Sequence, residues 1–187
     1  MNTHQQIDSV FRSLDREIWI VTSQTDTARG GLVATWVSQT SIDPLDPVVV
    51  IGIAVNHNTR SLIDKSGRFG LHLLSAHQTD LALNFAIGSG QERDKLTDIP
   101  LQPNHSIPIL QDCVSWLECV VQHKNDGGDR IYYWGQVING RQISAEQPLR
   151  EKQLIAAASP QQLAALKQTR LEDVEIQRPL LKEWRQS

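Results

Sequence analysis

The sequence predicts a mainly β domain of the α+β class, closed like a barrel and followed by helices. Three observations carry this expectation. Strand-like segments follow one another through tight turns, most clearly at Asn125-Asp126-Gly127-Gly128, a composition suited to hairpins and not to the crossovers of a doubly wound sheet. The run 48–55 is apolar on both faces, as a strand inside a sheet would be. After Pro148 the pattern turns helical, with Ser159-Pro160-Gln161-Gln162 placing a cap, a first-turn proline and a glutamine three residues after the cap.

Taken in order, Ile7, Val10, Phe11, Leu14 and Ile18 recur at three- and four-residue spacing and predict an N-terminal helix. Trp19-Ile20-Val21-Thr22 predicts a strand, and 32–38 a second one that pairs with it across the turn at 25–31. Pro44 and Pro47 make 41–47 a loop. Asn58 is expected to cap a short helix that ends at Gly67. Residues 69–74 predict a strand, 79–87 a helix, and 88–111 an irregular polar segment. Residues 114–123 and 130–138 predict a hairpin, and Asn139-Gly140 a further turn. A helix-prone stretch over 149–158 precedes the capped helix, which is expected to stop near Ile176, with Pro179 opening a last short segment. The expected organisation is one domain over 1–147 with a helical extension over 148–187.

Composition excludes several function classes. With 187 residues and a formal charge of −3, nothing favours nucleic acid or an anionic membrane as a partner. No apolar run approaches the roughly 20 residues of a membrane helix, and the polar start predicts no signal peptide, so a cytoplasmic protein is expected. Cys113 and Cys119, six residues apart in one expected strand, would stand roughly 20 Å from each other, too far to bridge. They are expected as buried free thiols on the face of Leu117 and Val121, which suits a reducing compartment. Gly-x-Gly-x-x-Gly is absent, the histidines form no i,i+4 pair, and Cys-x-x-Cys does not occur. No metal site and no catalytic acid, base or nucleophile is therefore predicted.

The informative block is Gly31-Leu32-Val33-Ala34-Thr35-Trp36-Val37-Ser38-Gln39-Thr40-Ser41-Ile42-Asp43-Pro44, a strand running into a hydroxyl-rich bend and then Ser-x-Asp-Pro. Around it stand, in order, Trp19-Ile20-Val21-Thr22, Asn58-Thr59-Arg60-Ser61-Leu62-Ile63, Ser66-Gly67-Arg68-Phe69, Arg93-Asp94-Lys95, Leu117-Glu118-Cys119 and Gly128-Asp129-Arg130. Across about residues 14 to 140 this ordered set resembles the flavin-reductase-like family of FMN-binding split β-barrels. It is similar too to the flavin-reductase-like domain at the C-terminus of some flavodiiron proteins. The resemblance implies a split β-barrel with Greek-key-like connections, FMN as cofactor, NAD(P)H as co-substrate, a small-molecule acceptor, and a homodimer with the flavin near its interface.

The residue types suit that implication. A phosphate needs converging hydroxyl and N–H donors and a cation. Thr35, Ser38, Thr40 and Ser41 sit around one bend, and Asn58 and Thr59 open a helix whose N-terminus favours negative charge. Arg93 or Lys95 can supply the cation, while Trp36 with the backbone of Ala34, Thr35, Val37 and Ser38 would lie along the isoalloxazine. Taken singly, each of these residues reads equally well as a turn, cap, core or surface residue.

Arg130 stands where many members of the family carry a histidine thought to face the nicotinamide or flavin, Leu96 where an aromatic is common, and the C-terminal helices replace a tyrosine-containing end. Arginine stays charged at neutral pH and cannot relay protons, but it can meet a nucleotide phosphate or a reduced, anionic flavin. The leading expectation is NAD(P)H-dependent reduction of flavin or a small acceptor. Two other classes fit the same residues: a non-catalytic FMN-binding electron-transfer module, and a flavin-free dimeric barrel using the cleft for another ligand. The apolar residues Leu163, Leu166, Leu171 and Val174 are expected to clasp a partner subunit.

Overall fold

The computed structural model describes residues 2–186. Its strands are β1 (Trp19–Gln24), β2 (Arg29–Ala34), β3 (Val37–Gln39), β4 (Val48–Ala54), β5 (Arg68–Leu73), β6 (Ser115–Asp126) and β7 (Arg130–Gln142). Its helices are α1 (Thr3–Ser13), α2 (Asn58–Ser66), α3 (Thr79–Ala86), α4 (Glu151–Ala157) and α5 (Pro160–Trp184). The seven strands form one antiparallel sheet in the order β2-β1-β5-β6-β7-β4-β3.

That order explains the barrel. β2 and β3 are the two edges of the sheet, yet only Thr35 and Trp36 separate them in the chain. Laid flat, seven strands would hold their edges roughly 29 Å apart, whereas three peptide units reach at most about 11 Å. The sheet must curl until its edges meet at the Thr35-Trp36 link. The Gly52 N–H donates to the Trp36 carbonyl at 3.0 Å and fixes the link against β4. Residues 32–38, expected as one strand, are therefore two strands on opposite edges, because the chain crosses the barrel seam between them.

Alternation along the strands builds two cores. Val21, Leu32, Ile51, Ile53, Phe69, Leu71, Cys119 and Tyr133 fill the barrel. Ile18, Ile20, Leu74, Phe85, Leu96, Trp116, Leu149 and Leu154 form a second cluster outside it, under α3, α4 and the irregular segment. The start of the expected C-terminal extension thus packs with the main body through Leu149 and Leu154.

Further expectations are corrected. The N-terminal helix ends at Ser13, so Ile18 lies beyond it in the core, while Ile7, Val10, Phe11 and Leu14 stay exposed. His57, not Asn58, is the cap residue of α2, and it makes no side-chain capping bond; the Asn58 amide reaches the Gly90 carbonyl at 3.3 Å instead. Gly67 stops the helix in the left-handed region at φ 65°, as its lack of a side chain allows. Asn139 and Gly140 do not turn: they pair with Glu118 and Leu117, and a bulge at Glu118/Cys119 absorbs the irregularity. Cys113 lies before β6 in the outer cluster and Cys119 inside the barrel, so the two thiols do not share a face. Pro179 does not end α5, which runs through to Trp184. Ser159 and Gln162 form its capping box, with Pro160 at the first turn, as the sequence predicts. Among the described residues no helix is long and apolar enough to cross a membrane.

Candidate functional site

Three segments distant in sequence converge beside β2. The Gly31-Leu32-Val33 backbone forms one wall, the 56–59 entry to α2 a second, and the end of α3 with Gly88-Ser89-Gly90 a third. They enclose a cleft of about 440 Å³, a size usual for cofactor sites. Gly31 leaves its wall as bare backbone: a Cβ there would stand 2.7 Å from the Phe85 ring. A smaller hollow of about 190 Å³ adjoins the cleft around Ala34, Thr35, Trp36, Gly52 and Arg130, sharing His57 and Asp173 with it.

Lys95 is the cation of the cleft. It is only 5% exposed, and its Nζ donates to the Phe85 carbonyl at 2.7 Å, using one of three ammonium donors. Burial pushes its pKa down to about 8, aided by the Arg93 charge and opposed by Glu92. Across the cleft Thr59 is buried in the first turn of α2. No side chain caps that turn; the Arg60 N–H donates to the His57 carbonyl at 3.1 Å, which leaves the Asn58 and Thr59 amides for an anion among the described residues.

Arg130 dominates the hollow. Its guanidinium carbon lies 4.0 Å from the centre of the Trp36 ring, a cation–π stack. Its Nε is buried without a hydrogen-bond partner among the described residues, with the nearest Asp129 oxygen 3.8 Å away. Asp173 of α5 enters between cleft and hollow. It accepts from the Asn56 amide at 2.7 Å and lies 3.6 Å from His57 Nε2. The His57 ring beside it, with the Asn56 amide and the Arg130 charge, holds its carboxyl below the usual range despite burial.

The residues singled out from the sequence fall into groups. Asn58, Thr59 and Lys95 line the cleft, and Ala34, Thr35, Trp36 and Arg130 the hollow. Val37 and Ser38, with Thr35 and Trp36, line a separate depression that Arg16, Glu17 and Tyr132 also border. Thr40 and Ser41 brace the proline loop: Thr40 donates to the Val48 carbonyl at 3.2 Å, and Ser41 donates to the Asp46 carbonyl at 2.8 Å. Arg93 donates to the side chain and carbonyl of Asn84, both at 2.7 Å, and so ties down the end of α3. Sequence reasoning missed Asn56, His57 and Asp173. The first two adjoin Asn58-Thr59 and were within reach; Asp173 lies more than a hundred residues away on a helix, where nothing local marks it.

The arrangement can hold an anion and a flat ring. It offers no group of His, Cys, Asp and Glu able to bind a metal among the described residues. The residues present fit FMN: a buried lysine and an uncapped helix start for the phosphate, bare backbone and an aromatic residue for the ring.

The family model described as a flavin reductase like domain matches residues 11–154. Diflavin flavoprotein A 1 of Synechocystis sp. is 29% identical over 151 residues, covering 76% of this chain and 26% of that protein. The chain spans about a quarter of the length of the diflavin flavoproteins it matches. The reductase subunit HsaB of a flavin-dependent monooxygenase from Mycobacterium tuberculosis is 26% identical over 141 residues, covering 75% of this chain and 73% of its own. Among solved structures, the NADH:FAD oxidoreductase SgcE6 of Streptomyces globisporus superposes with a TM-score of 0.70 at 22% identity, over 79% of this chain and 87% of that one. An FMN-binding protein from Thermus thermophilus with bound 1-cyclohex-2-enone gives 0.64 at 23% identity, over 69% and 71%. The structural likenesses carry the fold.

Proposed function

Because the chain belongs to the flavin reductase like domain family, we propose that it is an oxidoreductase that binds FMN and uses NAD(P)H to reduce flavin or a small acceptor. The observation that carries this reading is Lys95, a buried cation facing the uncapped start of α2 across a cleft of cofactor size. When bound, the flavin supplies the hydride chemistry, so the protein needs no acid or base of its own.

The chain's residues bind and orient. Lys95, Thr59 and the first amides of α2 take the phosphate. The Gly31–Ala34 backbone and Trp36 provide the surface along the ring. Arg130, fixed by its stack on Trp36, meets the incoming nucleotide phosphate or the charge of a reduced flavin. The protein works as a homodimer, for which Val10 and Phe11 on α1 and Leu171 on α5, all more than half exposed, offer apolar side chains to a partner. Its two buried free thiols suit the reducing cytoplasm.

A second reading rests on the hairpin turn that carries Gly128 and Arg130. Leu181 and Trp184 lie against Gly128, and the Arg130 side chain two residues on is only 23% exposed, which leaves little of it for a nucleotide to meet. That favours an electron-transfer module served by a protein donor.

Anaerobic addition of NADH and NADPH to the FMN-loaded protein separates the two. Bleaching of the flavin by one nucleotide is the expected result. Flavin that stays oxidised with both moves the function to electron transfer, and a protein that takes up no flavin overturns both.

A further inference from the structure

The cleft has a wall that belongs to neither the sheet nor the helices that build it. Thr169, Glu172, Asp173 and Ile176 of α5 line it, and their i, i+3, i+4, i+7 spacing is one helix face. The helix that supplies this wall is thinly seated along its middle. Gln177 is its one buried residue, while Leu163, Leu171, Val174 and Ile176 are exposed. Its middle is held by polar contacts: Asp173 on Asn56 and His57, and Gln177 on Asn56 at 3.4 Å. At its start Leu166 packs on the outer cluster, at its end Leu181 and Trp184 lie against the Gly128 turn, and Ala158 and Ser159 join it to α4 in extended conformation, which is where a strap would hinge.

Charge adds a second argument. Glu92, Glu172 and Asp173 border the cleft and hollow, against the cations Lys95 and Arg130 and the imidazole of His57. Two of the three carboxylates ride on α5. With α5 in place carboxylates outnumber the two cations; with it lifted, cations outnumber carboxylate. Asp173 is gripped by the two residues that lead into α2, so the chain's own anion sits beside the helix start that suits a foreign one.

We propose that α5 is a strap latched over the cleft by Asp173, and that an anionic cofactor and this latch compete, so that cofactor entry lifts the helix and loss of the cofactor lets it close. This rests on the flavin reading, because the competing anion is the FMN phosphate. The competition is reciprocal: whatever weakens the latch tightens FMN, and FMN loosens the helix.

The test is hydrogen exchange along residues 160–184 of the full chain, with and without FMN, together with FMN titration of the wild type, Asp173→Asn and Glu175→Gln. Glu175 is exposed and does not line the cleft, so its variant controls for the loss of one negative charge from α5. The expected result is faster exchange in α5 when FMN binds, and FMN binding about fivefold tighter in D173N, the factor a partly exposed ion pair commonly carries, with E175Q unchanged. Slower exchange in α5 on FMN binding, or weaker binding in D173N, would overturn the strap and make α5 a fixed wall of the site. Equal gains in D173N and E175Q would overturn the latch, leaving only a general charge effect. If no variant binds FMN, the flavin reading itself fails and the competition with it, an outcome distinct from the other two.

Discussion

The guanidinium of Arg130 stacks 4.0 Å from the centre of the Trp36 ring, tying the long strand β7 to the two-residue link at which the barrel closes. The stack contributes about 1 kcal/mol, and it leaves Arg130 Nε buried without a hydrogen-bond partner among the described residues, a cost of similar size. Replacing Arg130 by methionine removes both. The expected outcome is a melting temperature within about 4 °C of the wild type, with a KM for the nucleotide raised about tenfold or more. Thermal unfolding and steady-state kinetics check the two halves. A large loss of stability with an unchanged KM would make Arg130 a structural residue only.

Lys95 makes a prediction in pH. Its folded pKa of about 8 lies below the ordinary lysine value, chiefly through burial. Below pH 8 the ammonium is charged and can pair with a phosphate; as pH rises through 8 the charge is lost. FMN affinity is therefore expected to hold below pH 8 and fall above it, while riboflavin, which lacks the phosphate, shows no such fall. Lys95→Met should weaken FMN about tenfold or more, as loss of a charge-assisted hydrogen bond implies, and flatten the profile. Fluorescence titration at several pH values decides this.

His72 makes a prediction about stability. It is fully buried; its Nδ1 pairs with the Ile20 carbonyl at 3.1 Å and its Nε2 has no hydrogen-bond partner among the described residues. Burial pushes its pKa down to about 4 from 6.5, against the hydrogen bond to Ile20. The unfolded chain therefore binds a proton that the folded chain refuses. Its stabilising contribution is complete above pH 6.5 and is lost as pH falls from 6.5 toward 4, to a total of about 3 kcal/mol. His72→Asn keeps a donor for Ile20 and removes the titration. Denaturant unfolding between pH 4 and 7 should be steeper in pH for the wild type than for this variant.

Cys113 and Cys119 are free and buried, and burial lifts both thiols to about 12. Neither forms thiolate at neutral pH, so neither should react with a thiol reagent in the folded protein. Mass spectrometry after iodoacetamide is expected to find both unlabelled until denaturant is added. Rapid labelling of either in the native protein would contradict the packing described.

Most of the fold was legible because it rests on local signals. The Ser159-Pro160 start of α5, the Gly67 stop of α2 and the 127–128 turn each announce themselves in a few residues. The errors fall where distant parts of the chain decide. Residues 32–38 look like one strand because alternation cannot show that Thr35-Trp36 crosses a barrel seam. Asn139-Gly140 has turn composition, but β6 holds it in register. Pro179 lacks one N–H, and twenty-five residues of helix absorb that loss. In the site, Thr59, Lys95, Trp36 and Arg130 were readable as a set. Asp173 was not, because its place depends on where α5 lies and on nothing in its own neighbourhood. Arg93 and Lys95, two residues apart, were equal candidates in sequence; only their burial and partners separate a cleft lysine from an arginine that secures α3.

The measurement that bears most directly on the whole account is equilibrium titration of the purified protein with FMN, followed by absorption and by quenching of flavin fluorescence. The account predicts saturable binding of FMN at one site per chain, weakened in Lys95→Met. A protein that leaves free FMN unquenched at every concentration, with wild type and variant alike, would contradict it.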